Sequence, residues 1–314
     1  MGTPDFAVPS LEAVASACDV VAVVTQPDRP RGRGRNASAS PVGATAERLG
    51  RDVLKPERPN APEWRERLAK LSPDLLAVVA YGAILSPELL RVPRLGAVNL
   101  HGSLLPDYRG ASPVQHALRD GRAWTGVTTL WMDEGIDTGD VMLQRWVPIQ
   151  DDDTSATLAA RLAEVGAPLL AESLKLAHDG KAPRHPQDRS QGSYAPRLAK
   201  KDGDVNWARD VIEVWNRQRA MTPWPGATTG FAGKRVQIMA ARPLHRLECG
   251  RQPGEIDGVG PEGMDVACRP GVLRVTRIKA EGKPDMAAAD WARGARVQPG
   301  DRFAAVESAT EGVT

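Results

Sequence analysis

Unbroken apolar runs alternating with amphipathic stretches organise roughly the first 180 residues. Residues 20–25 (Val-Val-Ala-Val-Val-Thr) and 75–80 (Leu-Leu-Ala-Val-Val-Ala) lack in-and-out alternation, the pattern of parallel strands covered on both faces. Residues 98–101 read as the next strand, and residues 126–132 and 140–148 as two more. Helical spacing fits residues 7–17, 63–71 and 113–120, and residues 156–178 read as one long amphipathic helix. The alternation predicts an α/β domain, Rossmann-like and doubly wound, with a largely parallel sheet and its functional residues at the carboxyl ends of strands.

Downstream the pattern changes. Residues 184–204 are polar and rich in Pro, Gln, Ser, Gly and Lys, which predicts a linker. Beyond it a helix is expected at 211–220 and a rigid turn at Thr222-Pro-Trp-Pro-Gly226, followed by short strands at 234–241, 264–268 and 272–279. Short strands separated by Gly and Pro suggest a small C-terminal β-barrel, with an oligonucleotide-binding type as one possibility. The expected organisation is a catalytic domain over 1–183, a linker over 184–204 and a barrel over 205–314.

Composition alters this picture little. Hydrophobic residues at 41% and charged residues at 25% describe an ordinary globular chain. No apolar run reaches membrane-span length and no signal segment opens the sequence, so no membrane partner and a cytoplasmic location are expected. Cys18, Cys249 and Cys268 are few and far apart, and His116, His178, His185 and His245 lack ligand spacing, so neither a disulfide framework nor a metal site is expected. Net charge is +2, but residues from 205 onward carry 16 Lys and Arg against 13 Asp and Glu, which permits a polyanionic partner without requiring one.

The candidate chemistry sits at the end of residues 96–101. A strand period of two places Asn99 and His101 on one face, with Val98 and Leu100 turned into the core. A carboxamide and an imidazole can hold a carbonyl oxygen that gains negative charge, and Asp137 can orient the imidazole and accept a proton. Taken alone, an Asn or His beside a turn is more often a satisfied structural group. Context reverses that weighting. Residues 99–113 (Asn-Leu-His-Gly-Ser-Leu-Leu-Pro-Asp-Tyr-Arg-Gly-Ala-Ser-Pro), Thr125-Gly-Val-Thr128 and Met132-Asp-Glu-Gly-Ile-Asp-Thr-Gly139 closely resemble the signature of the 10-formyltetrahydrofolate-dependent formyltransferases.

Further segments extend the resemblance along nearly the whole chain: Gly2-Thr-Pro-Asp-Phe6, residues 25–34, Val79-Ala-Tyr-Gly82, Gly282-Lys283 and Pro299-Gly300. These resemble the family members that formylate methionine carried on initiator tRNA. The resemblance implies 10-formyltetrahydrofolate as donor, initiator methionyl-tRNA as partner, no metal, and a monomer. It also implies Asn99, His101 and Asp137 as catalytic residues, with Asp133 the competing carboxylate, and a folate site lined by Ser103, Leu104, Leu105 and Pro106, where two leucines and turn backbone suit a flat heterocycle. Arg109 is expected to support that loop. Arg29, Arg31, Arg33 and Arg35 read as a flexible basic arm for RNA phosphates, the alternative being a solvated charged loop. One departure weakens the arm: the family commonly has Lys where this chain has Gly43. The resemblance also places a first apolar strand before Gly2, so the natural start is expected upstream, with unpaired ladder groups and a gap beside the neighbouring strands. Competing readings are a formyltransferase acting on a small amine, a formyl hydrolase using the same folate, and a non-catalytic RNA-binding module.

Overall fold

Three helix starts follow from single side chains. Ser40 Oγ accepts from Gly43 N at 3.0 Å ahead of α2 (Pro41–Arg48), Ser86 Oγ from Leu89 N at 3.3 Å ahead of α4 (Pro87–Leu90), and an Asp210 carboxylate oxygen from Ile212 N at 2.7 Å ahead of α7 (Val211–Met221). Proline at the first turn of α2 and α4 loses no helical hydrogen bond and pre-sets the backbone. The remaining helices are α1 (Val8–Ala17), α3 (Pro62–Lys70), α5 (Pro113–Arg119), α6 (Ser155–His178) and α8 (Ala288–Ala295). The computed structural model describes residues 1–30, 37–245 and 250–304.

By its internal contacts the chain divides into two units. The first comprises Met1–Pro113, Trp124–Pro148 and Thr157–Pro196; the second comprises Val114–Ala123, Ile149–Ala156 and the chain from Arg197. These limits differ from the expected boundaries at 183 and 205. Residues 184–196 are part of the first unit, and Ile149–Ala156 joins the second because Arg219 Nη1 donates to the carbonyls of Gln150 (2.9 Å), Asp151 (3.3 Å) and Asp153 (3.4 Å) while Ser155 Oγ donates to Thr222 O (2.6 Å).

In the first unit, β1 (Val23–Val24) pairs in parallel with β4 (Val53–Leu54), and the order β5 (Leu75–Val78), β6 (Gly96–His101), β7 (Trp124–Trp131), β8 (Val141–Pro148) forms a second sheet. β5 and β6 are parallel, whereas β7 and β8 run antiparallel, joined by the 132–140 connection that carries Asp137. A two-residue pairing, β2 (Arg29–Pro30) with β3 (Ala37–Ser38), stands apart. Of residues 20–25, expected as one strand, only β1 enters a ladder. On its open side Gly2 N donates to Val24 O (3.0 Å), Val79 N to Met1 O (2.9 Å) and the Met1 amine to Ala77 O (2.5 Å), and burial holds that amine's pKa down to about 5. Past Met1 a cavity of about 500 Å³, bordered by Val20, Val23, Leu71, Leu75 and Leu174, separates β1 from β5.

Tyr81 packs in the core of this unit at 2% exposure, its Oη without a hydrogen-bond partner. Burial pushes its pKa from 10.0 up to about 12. The folded state therefore favours the neutral phenol, a contribution complete below pH 10 and lost as pH rises toward about 12. Tyr81→Phe should leave stability near pH 7 unchanged or slightly raised, since it deletes an unpaired buried hydroxyl. It should also flatten the alkaline loss in a thermal-denaturation series; a steep loss identical to that of the parent chain would contradict this.

The second unit is built on an antiparallel sheet of order β11 (Ile256–Gly260), β12 (Gly263–Ala267), β13 (Val272–Ala280), β10 (Lys234–Leu244), β9 (Ala227–Phe231), with β14 (Met286–Ala287) on β13. Its two edges meet a common segment. Gly230 and Ala304 exchange two hydrogen bonds of 2.9 Å, while Ile256 N donates to Asp301 O and Phe303 N to Gly254 O, each at 2.8 Å. Residues 301–304 thus curl the sheet toward the expected barrel. Trp207, Phe231, Trp291 and Phe303 fill its interior, with ring centroids 5.2–6.3 Å apart.

Candidate active site

Side chains alternate along β6, so Val98 (0% exposed) and Leu100 (2%) face one layer and Asn99 and His101 the other. On the Leu100 side lies α6, whose Gly166 approaches so closely that a Cβ there would stand 2.7 Å from Leu100 Cδ2. On the opposite side the 132–140 connection folds back over the strand. Asn99 Nδ2 donates to Asp137 Oδ1 at 3.0 Å, and His101 Nδ1 lies 3.4 Å from Asp137 Oδ2. Gly110 N donates to the same Oδ2 at 2.9 Å. His101 is buried, and its Nε2 sits 2.9 Å from Tyr108 O, so that nitrogen must carry the hydrogen. A second proton on Nδ1 would point at the carboxylate. Amide, imidazole and carboxylate are therefore held in one cluster with hydrogen-bonding capacity left on Asn99.

Asp133, the competing carboxylate, has a different task. Its Oδ1 accepts from Gly135 N (3.0 Å) and Thr138 Oγ1 (2.8 Å), and Arg189 approaches its Oδ2 at 3.3 Å. It staples the loop on which Asp137 is displayed.

Ser103, Leu104, Leu105 and Pro106 form a tight turn after β6, and most of its backbone is already paired. Thr128 Oγ1 donates to Ser103 O (2.7 Å) and accepts from Leu105 N (3.1 Å), Gln144 Nε2 donates to Leu105 O (2.8 Å), and Leu104 O accepts from Asp107 N (3.1 Å). The half-buried Leu104 side chain lies over Gly126.

Arg29 belongs to β2, while Arg31, Arg33 and Arg35 lie outside the described residues. At the foot of this arm the space left by Gly43 is shared by Lys55: a Cβ on Gly43 would stand 3.8 Å from Lys55 Cε, and Lys55 Nζ is 2.9 Å from Asp28 Oδ2. A cation just beyond β4 thus lies beside Gly43 of α2.

Gln187, which the sequence did not single out, and Arg109, expected there only as support for the 103–106 turn, complete the site. Gln187 Nε2 donates to the carbonyls of Asp137 (2.9 Å) and Gly139 (2.7 Å), and Arg109 Nε donates to Gln187 Oε1 at 3.0 Å. Among the described residues no cluster of three or more His, Cys, Asp or Glu is arranged to hold a metal ion, and no helix is long and apolar enough to cross a membrane.

With this geometry in view, comparison with known proteins is specific. Residues 5–174 match the formyl transferase family and residues 197–296 the formyl transferase C-terminal domain. The methionyl-tRNA formyltransferase of Pelotomaculum thermopropionicum is 44% identical over 303 residues, 96% of this chain and 96% of the relative. That of Symbiobacterium thermophilum is 45% identical over 310 residues, 98% and 95% of the two chains. Among solved structures, the sugar 3N-formyl transferase WlaRD shares the fold with a TM-score of 0.65 at 16% identity, covering 90% of this chain and 97% of that one. The chain belongs to the formyltransferase family, and within it stands with the methionyl-tRNA formyltransferases.

Proposed function

We propose that the chain transfers the formyl group of 10-formyltetrahydrofolate to the α-amino group of methionine esterified to initiator tRNA. The observation that carries this reading is the junction of Asn99, His101 and Asp137 around one carboxylate, in a chain more than 40% identical to methionyl-tRNA formyltransferases over 96% of its length. Support for the donor comes from Asn99, which keeps a hydrogen beside the Asp137 carboxylate, and from Leu104, a half-buried apolar side chain three residues past His101. When bound, the folate supplies an activated one-carbon unit. The residues do the rest. Asn99 offers its remaining amide hydrogen to the carbonyl oxygen as the neutral amine attacks, His101, held between Tyr108 O and Asp137, fixes the carboxylate, and Asp137 takes the amine proton, directly or through water, and can pass it to the folate nitrogen that leaves as its bond to the formyl carbon breaks. A monomeric, cytoplasmic enzyme is the setting this reading implies.

The test supplies the formyl donor with charged initiator tRNA, with glycinamide ribonucleotide, or with no acceptor, and follows the folate product. Turnover should require the charged tRNA. Equal turnover with the small amine, or without acceptor, would replace the reading by one of its alternatives.

The arm is assigned to RNA phosphates, supported by its four arginines and by Lys55 at its foot. Arg33→Ala and Lys55→Ala should each raise the KM for aminoacyl-tRNA and make it less dependent on salt, leaving the KM for the donor nearly unchanged. Parallel losses for both substrates would mean that the arm shapes the reaction centre instead.

A further inference from the structure

We propose that Gln187, gripped by Arg109, is the positioning residue that aims Asp137 at His101, an inference that rests on the formyl-transfer reading above. Asp137 has φ 55, the left-handed region that side chains other than glycine rarely adopt, so its loop must be held there by its surroundings. The carboxamide of Gln187 does this with every group it has. Both its hydrogens go to main-chain carbonyls, Asp137 O at 2.9 Å on the aimed residue itself and Gly139 O at 2.7 Å two residues on. Its oxygen accepts from Arg109 Nε at 3.0 Å. Carbonyls only accept and guanidinium only donates, so the amide has a single workable orientation.

Arg109 anchors the arrangement from two sides. Its Nη1 donates to Gln191 O and its Nη2 to Asp188 O, both at 3.2 Å, fixing the turn that follows Gln187. Its own backbone is laced to residues 193–195, with Arg109 N donating to Ser193 O (2.9 Å) and Ala195 N donating to Arg109 O (2.6 Å). The next residue, Gly110, donates to Asp137 Oδ2. Backbone and carboxylate of Asp137 are thus both tied to one arginine, the first through Gln187 and the second through Gly110. Gln187 touches neither His101 nor Asn99 in any of its hydrogen bonds, so its influence on the reaction passes through Asp137.

Gln187→Met keeps the length and removes the polar groups; Gln187→Glu keeps the shape and sets an acceptor against two carbonyls. Each should lower kcat about 10- to 100-fold, the range expected from a misplacement near 1 Å, with both KM values within about twofold of the parent. In the Asp137→Asn background the same change should cost less than about twofold more, because no carboxylate is left to aim. Amide hydrogen exchange, measured without substrates, should quicken across residues 133–139 and stay unchanged in the second unit. Should the Met variant fail to fold, the Glu variant carries the same comparison. Equal fold-losses in both backgrounds, or unchanged exchange across 133–139, would overturn the proposal. Absence of formyl transfer in the parent chain would overturn only the reading of function, since the exchange measurement decides the role of Gln187 by itself.

Discussion

Asp137→Asn should reduce kcat for formyl transfer by at least about 100-fold while the protein stays folded, a loss of about 2.7 kcal/mol in transition-state stabilisation. The change preserves size but not acceptor capacity. The native carboxylate receives Asn99 Nδ2 on one oxygen and Gly110 N on the other, with His101 Nδ1 beside the second. An amide at this position turns one acceptor into a donor, so it must face either the Asn99 amide or the Gly110 N–H donor to donor, and it can no longer take a proton from an attacking amine. Asn99→Ala should fall in the same range by removing the donor left for the carbonyl oxygen, and His101→Ala by removing the ring that faces the Asp137 carboxylate. Steady-state kinetics at saturating substrates, with circular dichroism as the folding check, decide the matter. Near-parental kcat in any one variant would remove that residue from the mechanism.

Much of this site can be read in the sequence because one simple periodicity governs its strand. An alternation of two put Asn99 and His101 together and sent Val98 and Leu100 inward, and the structure shows all four so placed. The glycine-flanked motif around Asp137 could be matched, yet its fold-back onto β6 has no local signal. The segment holding Gln187 was unreadable for a deeper reason. Residues 184–196 are polar, with Pro186 just before Gln187 and Pro196 at the end, and composition describes such a stretch as a linker. Their order comes from partners far away in sequence: Val141 and His185 exchange hydrogen bonds, Trp131 Nε1 donates to Pro183 O, and Arg109 pairs with Tyr194. Nothing in the segment itself announces them. Similarly, residues 20–25 look like one full strand, but ladders need two sides, and only Val23 and Val24 find a partner in β4. In the second unit, β9 (Ala-Thr-Thr-Gly-Phe) and β11 (Ile-Asp-Gly-Val-Gly) lack clear alternation and were missed, since their stability derives from neighbours in the sheet.

Two glycine-to-alanine exchanges should move the protein in opposite directions, and the reason is visible around each Cα. Gly139 closes the loop that carries Asp137. A Cβ built there would stand 1.8 Å from Trp131 O, a backbone atom fixed in β7, where Trp131 N also donates to Asp140 O at 2.9 Å. No side chain can swing away to make room. The loop must shift instead, and with it both carbonyls that receive Gln187 Nε2 and the carboxylate that faces His101. Overpacking of this kind costs about 1–3 kcal/mol or more, and a reacting group moved by about 1 Å can cost about 100-fold in rate. Gly139→Ala should therefore lower Tm by roughly 5–10 °C, at roughly 2–4 °C per kcal/mol for a unit of this size, and lower kcat by at least about 100-fold. Gly294 is the counterpart. It is exposed in α8, and a Cβ there would meet nothing within 4 Å. Gly294→Ala should leave kcat unchanged and raise stability by up to about 1 kcal/mol, because alanine loses less backbone freedom on entering a helix. Thermal denaturation and initial-rate assays of the two variants side by side test the pair: a Gly139→Ala protein with parental Tm and kcat would show that the 132–140 loop yields easily, and that the close approach to Trp131 does not set the position of Asp137.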